Sequence, residues 1–535
     1  WLVILGVVLA AGLGFYAGAA LDTRKLEAQL RNSPWITAHD AVAVSQVYQT
    51  NQLRLEGEIF SLPALGEGFE NGGGAILELK PDAVLVLAKS GRFLEFTATG
   101  GVPSLRPLEP QIELNNEAYA AFAKAEGYAI RPGANVGNSG LGMRAHDLLY
   151  LPASNELIAS YTFWKPDQNC AVLRAAAMAL DARREIIPGA AWRVIFETSP
   201  CLGLSGNKAK PFAGHQAGGR LGLLPDGSLL VTVGDFKNDG SHRQDSADDG
   251  DGDYGKIWQV NAATGAKQLF TRGHRNPQGL LVTDAGDIWE TEHGPVGGDE
   301  LNTIRQGTHY GWPRVTLGRD CDACGWQTHG RHDGFAEPVY SWVPSIGVSQ
   351  LIELKNFHPL WDGDFLVASL VAETLHRVRV VHGGVQLVEP VRIGERIRDL
   401  YQAADGGIVL WTDSGKLIFL KKSVAASASA ALVAALSPAA KDEVALCGAC
   451  HGLESAQGRA GVISLWGISG RRVAGTDYPA YSDALKGKGG VWSGEALSRF
   501  LENPQGFAPG TSMPYEGIAD AATRAEVVRF LEQLR

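Results

Sequence analysis

Residues 220–235 read RLGLLPDGSLLVTVGD, and residues 279–294 (GLLVTDAGDIWETEHG) and 399–415 (DLYQAADGGIVLWTDSG) repeat the same arrangement. Each stretch has a short apolar segment, a polar turn and a second apolar segment, which is typical of a β-hairpin. Six such units can be counted between residues 50 and 422. Their turns lie at residues 81–82, 154–155, 226–227, 285–286, 362–363 and 405–406.

Repetition of a β unit at intervals of 43 to 77 residues predicts propeller blades that loops have lengthened beyond the usual period. We therefore expect an all-β six-bladed propeller over residues 35–422. Glycine makes up 66 of the 535 residues, which fits a fold with many tight turns. An irregular β-sandwich or several small β domains are the alternatives, although neither would need such regular spacing.

The chain changes character after Lys422. Residues 423–440 are rich in alanine and serine, which predicts a partly helical linker. Residues 441–535 show helical patterns, and Val527, Phe530, Leu531 and Leu534 fall on one face of the last helix. We expect a small all-α domain whose core a bound group helps to fill.

The sequence Cys447-Gly-Ala-Cys450-His451 is the attachment pattern of c-type haem, in which two thioethers hold the porphyrin and the histidine binds iron. Met513, in a loop with Pro509 and Pro514, is the predicted sixth ligand of the haem iron; a core methionine is the alternative. The tail resembles small class I c-type cytochromes. The matching residues are 447–451, 467–475, 492, 500–501, 504 and 509–513.

Residues 1–21 carry no charge and stop at Asp22, which is a length that can span a bilayer. We expect a single N-terminal transmembrane helix, with a cleaved signal as the alternative because residues 17–20 are small. The haem attachment pattern and four further cysteines indicate an exported protein. The predicted location is the bacterial inner membrane, with a single pass and both domains in the periplasm.

The four further cysteines allow three pairings, of which Cys170 with Cys201 and Cys321 with Cys324 is the simplest. Cys321 and Cys324 could also form half of a zinc site, but outside the haem motif there is no second pair of cysteines or histidines at ligand spacing. A net charge of −10 without a run of lysine and arginine argues against a nucleic-acid partner.

Several polar residues next to predicted strands are poorly explained by blade packing. His215 precedes one strand, and Arg275, Asn276 and Gln278 surround the start of another. Arg396 and Arg398 alternate on a strand and so point to one face. Two arginines beside apolar residues on one face suggest that an anion binds there.

These residues belong to motifs that resemble the soluble-type PQQ-dependent sugar dehydrogenases, including the aldose and sorbosone dehydrogenase-like proteins, which are six-bladed propellers. The resemblance covers about residues 130 to 420. The motifs are HQAGGRL at 215–221, GHRNPQGL at 273–280, EHGP at 292–295, GDELN at 298–302, YGWP at 310–313 and RIRD at 396–399.

The resemblance implies that His215 takes the hydroxyl proton of the substrate while hydride passes to PQQ. Arg275 and Asn276, next to Gln278, would hold the quinone oxygens. Arg396 and Arg398 would bind the PQQ carboxylates.

The resemblance also implies calcium. One ion would lie on the cofactor, reached by the backbone carbonyls of Gly294 and Pro295, and a structural ion would lie near Glu300 and Tyr310. Two positions depart from the family pattern. Val371 aligns with the family's PQQ-contacting lysine, and the family's glutamine has no counterpart between residues 133 and 146, where Arg144 or His146 could replace it.

Together these features predict a membrane-anchored quinohaemoprotein dehydrogenase that oxidises an aldose-type sugar, a related polyol or an aldehyde. Electrons would pass from PQQ to haem c and then to a respiratory acceptor, which could be a cytochrome, an oxidase or a quinone-linked protein. The alternatives are a non-catalytic propeller that binds a carbohydrate or protein and carries a cytochrome, and an electron-transfer subunit of a larger complex.

Overall fold

A computed structural model describes most of the chain. The described residues are 44–62, 73–98, 103–109, 111–127, 142–203, 214–237, 252–319, 328–329, 331–423, 428–453, 463–476, 478 and 481–535. The predicted membrane helix at 1–21 and the cysteines at 321 and 324 lie outside these ranges. None of the described helices has the length and apolar character needed to cross a bilayer.

Six antiparallel sheets form the larger part of the molecule. The chain begins with a hairpin of β1 (Val44–Gln49) and β2 (Arg54–Ser61), which belongs to the last sheet. The first three sheets, blades 1 to 3, follow. Blade 1 contains β3 (Gly74–Lys80), β4 (Ala83–Ala88), β5 (Phe93–Thr97) and β6 (Ser104–Leu108). Blade 2 contains β7 (Ala145–Leu151), β8 (Glu156–Lys165), β9 (Cys170–Ala179), β10 (Arg193–Glu197) and β11 (Leu202–Gly203). Blade 3 contains β12 (Gly218–Leu223), β13 (Leu229–Val233), β14 (Lys256–Val260) and β15 (Lys267–Arg272).

Blades 4 to 6 complete the propeller, and a short parallel pair, β19 (Val315–Thr316) with β20 (Thr328–His329), interrupts blade 4. Blade 4 contains β16 (Pro277–Val282), β17 (Ile288–Glu292), β18 (Asp299–Thr303) and β21 (Tyr340–Trp342). Blade 5 contains β22 (Val348–Glu353), β23 (Phe365–Ser369), β24 (Thr374–Val381) and β25 (Gly384–Arg392). Blade 6 contains β26 (Ile397–Gln402), β27 (Ile408–Thr412) and β28 (Lys416–Lys422).

The first strands of neighbouring blades contact one another in a closed ring, from β3 through β7, β12, β16 and β22 to β26 and back to β3. The N-terminal β2 pairs with β28 and so completes blade 6. The predicted six-bladed propeller is confirmed, and each of the six predicted turns joins the first two strands of a blade. The ring excludes the sandwich alternative.

Close approach of the inner strands explains why glycine occurs in them. A Cβ atom on Gly279 would lie 2.4 Å from the carbonyl oxygen of Ser349 in the next blade. Five inner strands also have a β-bulge near their first residues. Because a bulge redirects the side chains around it, residues at this end of the ring can point towards the propeller axis.

The C-terminal part is helical, as predicted. One more helix, α1 (Asn116–Ala125), lies between blades 1 and 2. The tail contains α2 (Ala428–Ala434), α3 (Pro438–Cys450), α4 (Asp483–Lys488), α5 (Gly494–Glu502), α6 (Pro504–Phe507) and α7 (Ala521–Gln533). Ser437, Ser493 and Asp520 cap α3, α5 and α7 through their side-chain oxygens. The predicted face of the last helix is buried.

The helical domain shares a hydrophobic core with blades 5 and 6. At this seam, Gln52 donates from Nε2 to the carbonyl oxygen of Ala445 at 3.1 Å and accepts from Arg377 at 2.6 Å. Gly448 fits against the same glutamine, because a Cβ there would lie 2.4 Å from Gln52 Nε2. The helix that carries the Cys-x-x-Cys-His motif is thus fixed directly to the propeller.

Candidate functional sites

The first candidate site is a cavity of about 470 Å³ at the end of the propeller where the inner strands begin. We call it the propeller pocket. All six blades contribute to its lining. The lining residues with polar or charged side chains are Lys89, Arg144, His146, His215, Gln216, Arg220, Arg275, Asn276, Gln278, His293, Arg396, Arg398 and Asp413.

His215 is held in the pocket by a tight turn. Gly214 has a φ of +75°, and a Cβ there would lie 2.0 Å from the carbonyl oxygen of Gly142, so only glycine fits. Burial, with positive charge from Arg144, Lys237 and Arg398, lowers the pKa of His215 to about 3. The imidazole is therefore neutral near pH 7, the form that can accept a proton.

Arg275, Asn276 and Gln278 occupy the start of blade 4. Arg275 donates from Nη1 to the carbonyl oxygen of Gly294 at 2.7 Å, and its guanidinium carbon lies 5.2 Å from the ring centre of Trp312. Asn276 accepts from the side-chain amide of Gln278 at 3.0 Å. These contacts orient three donor-bearing side chains towards the pocket.

Arg396 and Arg398 point to the same face, as predicted, and Asp413 binds both. The Arg398 Nε lies 2.9 Å and the Arg396 Nε 3.1 Å from the carboxylate of Asp413. Burial raises the pKa of Asp413, but the two guanidinium groups outweigh it and leave the pKa below its usual value. This pair of arginines is therefore held in place.

Arg220, which lines the pocket, also links the blades to one another. Its Nη1 lies 3.1 Å from carboxylate oxygens of both Asp147 and Asp399, in blades 2 and 6. Its Nε donates to the carbonyl oxygen of Gln278 in blade 4 at 2.7 Å. In the sequence, Arg220 is recognisable only as part of the HQAGGRL motif. The structure shows that this buried arginine of blade 3 connects blades 2, 4 and 6.

The residues expected to bind calcium lie in two places. The carbonyl of Gly294 accepts from Arg275, a residue of the pocket lining, but Gly294 and Pro295 themselves lie outside that lining. Glu300 is buried 3.5 Å from His332, and the ring of Tyr310 stacks on His274 with centroids 4.8 Å apart.

Around Glu300 the structure reveals a group of acidic residues that the sequence analysis missed. His274, Glu290 and Glu292 are buried and place ligand atoms within 4.8 Å of one another. Asn302 donates to Glu290 and Glu300, both at 3.2 Å. We call Glu290, Glu292, Glu300, Asn302 and His274 the blade 4 cluster. Burial, with repulsion from Glu292, raises the pKa of Glu290 far above its usual value.

Other pocket residues were missed because no local pattern marks them. Lys89 follows β4, and Asp413 follows β27. Arg144 and His146, considered above only as substitutes for a missing glutamine, do line the pocket. Val371 does not; its side chain is 67% exposed, while Leu370 lines the pocket.

The second candidate site is a cavity of about 420 Å³ in the helical domain, which we call the haem crevice. Cys447, Cys450, His451 and Met513 all line it, among mostly apolar side chains. His451 Nδ1 lies 3.0 Å from the carbonyl oxygen of Ile463. Because a carbonyl can only accept, Nδ1 carries the proton and Nε2 is left with a lone pair for a metal.

The propeller also lines the haem crevice, through Gln386 of β25. Strand β24 starts at the pocket end with Thr374, and β25 runs antiparallel to it and ends there with Arg392. At about 3.3 Å per residue, Gln386 therefore lies about 15 to 20 Å from the pocket end of blade 5. The two candidate sites therefore lie towards opposite ends of blade 5.

The predicted pairing of Cys170 with Cys201 is confirmed. Their sulfur atoms are bonded, and the bond joins the start of β9 to the loop before β11. The described free cysteines are Cys447 and Cys450.

The family model described as glucose/sorbosone dehydrogenase matches residues 151–419. The chain belongs to the glucose/sorbosone dehydrogenase family. An aldose sugar dehydrogenase of Escherichia coli strain K12 is 28% identical over 252 residues, which are 42% of this chain and 63% of that protein. A solved structure described as glucose dehydrogenase has 24% identity and a TM-score of 0.55, covering 69% of this chain and 99% of its own.

The helical tail has relatives of its own. A cytochrome c homologue of Bradyrhizobium diazoefficiens is 40% identical over 89 residues, which are 16% of this chain and 48% of that protein. The chain thus joins a propeller of the glucose/sorbosone dehydrogenase family to a cytochrome c-like segment. It spans 60% and 63% of the first two curated relatives that it matches.

Proposed function

We propose that this protein is a membrane-anchored, periplasmic dehydrogenase that oxidises a sugar with PQQ and exports the electrons through haem c to a respiratory acceptor. The observation that carries the proposal is the convergence of His215, Arg275, Arg396 and Arg398 on one pocket. The tail supplies a second site suited to an electron carrier.

The pocket fits an anionic, multidentate cofactor. Among the residues that the structure describes, the buried Nε of Arg275 and the buried Nε2 of His146 have no hydrogen-bond partner, and such atoms favour a polar ligand. Arg396 and Arg398, held by Asp413, suit carboxylates. When bound, PQQ would supply a two-electron acceptor for the hydrogen of the substrate carbon.

The protein's own residues would then bind, orient and move the proton. Neutral His215 would accept the proton of the substrate hydroxyl. Arg275 and Asn276 would donate to the oxygens on which negative charge develops. Arg396 and Arg398 would bind the carboxylates of the cofactor.

In the crevice, Cys447 and Cys450 would form the thioethers to the haem, and His451 Nε2 and Met513 would bind its iron. A thioether ligand raises the reduction potential of haem and closes the iron to substrates. A bound haem c would supply a one-electron carrier.

The membrane and periplasmic parts of the proposal rest on chemistry elsewhere in the chain. Residues 1–21 are uncharged over a spanning length. The Cys170–Cys201 disulfide and the haem attachment motif both suit an oxidising compartment.

The deciding experiment adds aldoses and alcohols to the full chain reconstituted with calcium and PQQ, and follows haem absorbance and the bleaching of a soluble dye. Reduction that needs both PQQ and substrate supports the proposal. If dithionite reduces the haem but no substrate does, and the dye is also unaffected, the chain is a binding or docking protein instead.

We expect dye reduction to be faster than haem reduction. The dye can enter the propeller pocket, whereas the haem crevice lies towards the other end of blade 5. Rates of the two signals in one preparation, repeated at several protein concentrations, test this and separate transfer within one chain from transfer between chains. Equal rates would show that the haem reaches the cofactor directly.

For calcium we propose the blade 4 cluster as the structural site. Three glutamates lie together there, and the buried oxygens Glu290 Oε1 and Asn302 Oδ1 have no hydrogen-bond partner within the described part of the chain. Oxygen ligands of this kind suit calcium, and a divalent cation would offset the buried negative charge.

Chelation of calcium should therefore lower the melting temperature of the propeller by several degrees, because a ligand at about 100 times its Kd contributes about 2.7 kcal/mol. Glu290→Gln keeps the side-chain shape and removes a ligand charge. This variant should melt at nearly the same temperature with and without chelator. An equal response of variant and wild type would place the ion elsewhere.

A further inference from the structure

Residues 508–517 form the loop that carries Met513, and we call them the Met513 loop. Gln505 of α6 holds the start of the loop, since its Nε2 donates to the carbonyl oxygen of Thr511 at 2.9 Å. Gly517 ends the loop with a φ of +108°, and a Cβ there would lie 2.4 Å from a backbone carbonyl oxygen of α5. The loop is therefore anchored where it begins and where it ends, and Met513 lies between the two anchors.

Between these anchors, Tyr515 joins the Met513 loop to the helix that carries the haem attachment motif. The Tyr515 hydroxyl donates to Oε2 of Glu443 in α3. The ring of Tyr515 packs against the hydrophobic core, and both Tyr515 and Cys447 line the haem crevice. The hydrogen bond therefore connects the wall that would attach the haem to the wall that carries Met513.

This hydrogen bond is of a strong kind. A hydroxyl that donates to a carboxylate forms a charge-assisted bond, which is about twice as strong as a neutral one. Tyr515 and Glu443 are both half-buried, and a hydrogen bond away from water is electrostatically stronger than one in water. Glu443 also lies one helical turn before Cys447, on the same face of α3, so the carboxylate is close to the attachment site.

Holding the loop matters for a ligand such as methionine. A side chain on a loose loop can bind a metal only if the loop is ordered at that moment, which costs conformational entropy. A loop that is already held in place avoids most of this cost. A fixed loop therefore increases the fraction of molecules in which Met513 stays at the iron.

We propose that Glu443 is a positioning residue for the haem iron, because it holds the Met513 loop against the haem crevice through Tyr515. The bridge keeps the iron closed to external ligands, as an electron carrier requires. The inference rests on the proposed ligation of iron by His451 and Met513. It assigns a role to two residues that neither attach the haem nor bind its iron.

The test uses the full chain with haem c attached and titrates the ferric protein with imidazole. Imidazole displaces a methionine ligand and removes the weak far-red absorption band of methionine-ligated ferric haem. Tyr515→Phe keeps the ring and removes the hydroxyl. We expect its affinity for imidazole to rise about tenfold to a hundredfold, which is the effect of losing a hydrogen bond to a charged group.

Variants of Glu443 separate the hydrogen bond from packing. Glu443→Gln keeps an oxygen that accepts from Tyr515, so its affinity for imidazole should lie between those of wild type and Tyr515→Phe. Glu443→Ala should match Tyr515→Phe, and the double variant should show no further rise, because either change breaks the same bond. Glu516→Gln, which removes an exposed charge from the same loop, is the control and should behave as wild type.

The reduction potential of the haem is a second readout, and it needs no external ligand. Glu443→Gln should shift the potential upward, because a nearby negative charge stabilises the oxidised, more positive iron. Tyr515→Phe keeps the carboxylate and should not raise the potential. A purely structural role for the pair would not move the two variants differently.

Two results would overturn the inference. Wild-type affinity for imidazole in Tyr515→Phe, or additive effects in the double variant, would show that the bridge does not hold the loop. A wild-type ferric protein without the far-red band would show that Met513 does not bind the iron, and the proposed ligation would then fail together with this inference. Neither result depends on PQQ or a sugar, so the proposed dehydrogenase activity is tested separately.

Discussion

Replacing His215 with alanine is expected to abolish substrate-driven reduction of both haem and dye. The proposed base accepts the hydroxyl proton, and removal of a general base costs about 10²- to 10⁴-fold in rate. The turn that holds His215 depends on Gly214 and on backbone contacts, so the fold should survive. The haem spectrum should also be unchanged, because the haem crevice is lined by other residues.

The measurement is the initial rate of dye reduction at saturating PQQ, with dithionite-reduced haem spectra as a check on the tail. His382→Asn is a suitable control, since His382 is exposed on the turn between β24 and β25, away from the pocket. Wild-type rates in His215→Ala would show that another group takes the proton.

Replacing Arg220 with methionine is expected to destabilise the propeller by about 3 to 5 kcal/mol, the usual cost of leaving a buried charge without its partner. Asp147 and Asp399 would lose their shared cation. Asp399 also accepts from the backbone N–H of Ile76 in blade 1 at 2.8 Å. The loss of this cation should therefore weaken contacts among blades 1, 2, 3 and 6.

This loss should grow as the pH rises. Burial is the largest cause that raises the pKa of Asp399, to about 7 even with Arg220 present, while an unfolded aspartate has a pKa near 3.9. Between these values the folded state holds more protons than the unfolded state, so stability falls with rising pH. Without Arg220 the folded pKa rises further and the fall becomes steeper.

Denaturant unfolding of Arg220→Met at pH 5 and pH 8, followed by tryptophan fluorescence, measures this effect. Adding Asp399→Asn should recover part of the stability at pH 8, because one of the two unpaired charges is then absent. A loss that is the same at both pH values would show that the packing of Arg220, and not its charge, stabilises the ring.

How far the sequence predicts this protein differs from one feature to another. The six hairpin turns and the last helix follow from local periodicity, which depends on residues close in the chain. His451 and its cysteines are contiguous, so their chemistry is readable without a fold. The family motifs pointed to His215, Arg275 and the arginine pair, and the structure brings these into one pocket.

Residues that act through partners distant in the chain were not predictable. Asp413 orients Arg396 and Arg398 from 17 and 15 residues away, and Glu290 joins Glu300 and His274 only when β16, β17 and β18 pair. Arg144 stands beside His215, 71 residues later. No spacing rule relates these positions, because contacts between blades depend on the closure of the ring.

The sequence by itself determined the alternation of strands and turns, the helical tail and the haem attachment motif, because each depends on residues that are close together in the chain. Only the tertiary structure decided that Arg220 ties the blades together, that Gln52 fixes the haem helix to the propeller, and that Arg144 faces the proposed base. The physical reason is that buried charges and amides need partners, and closure of the ring and docking of the tail decide which distant residues become those partners.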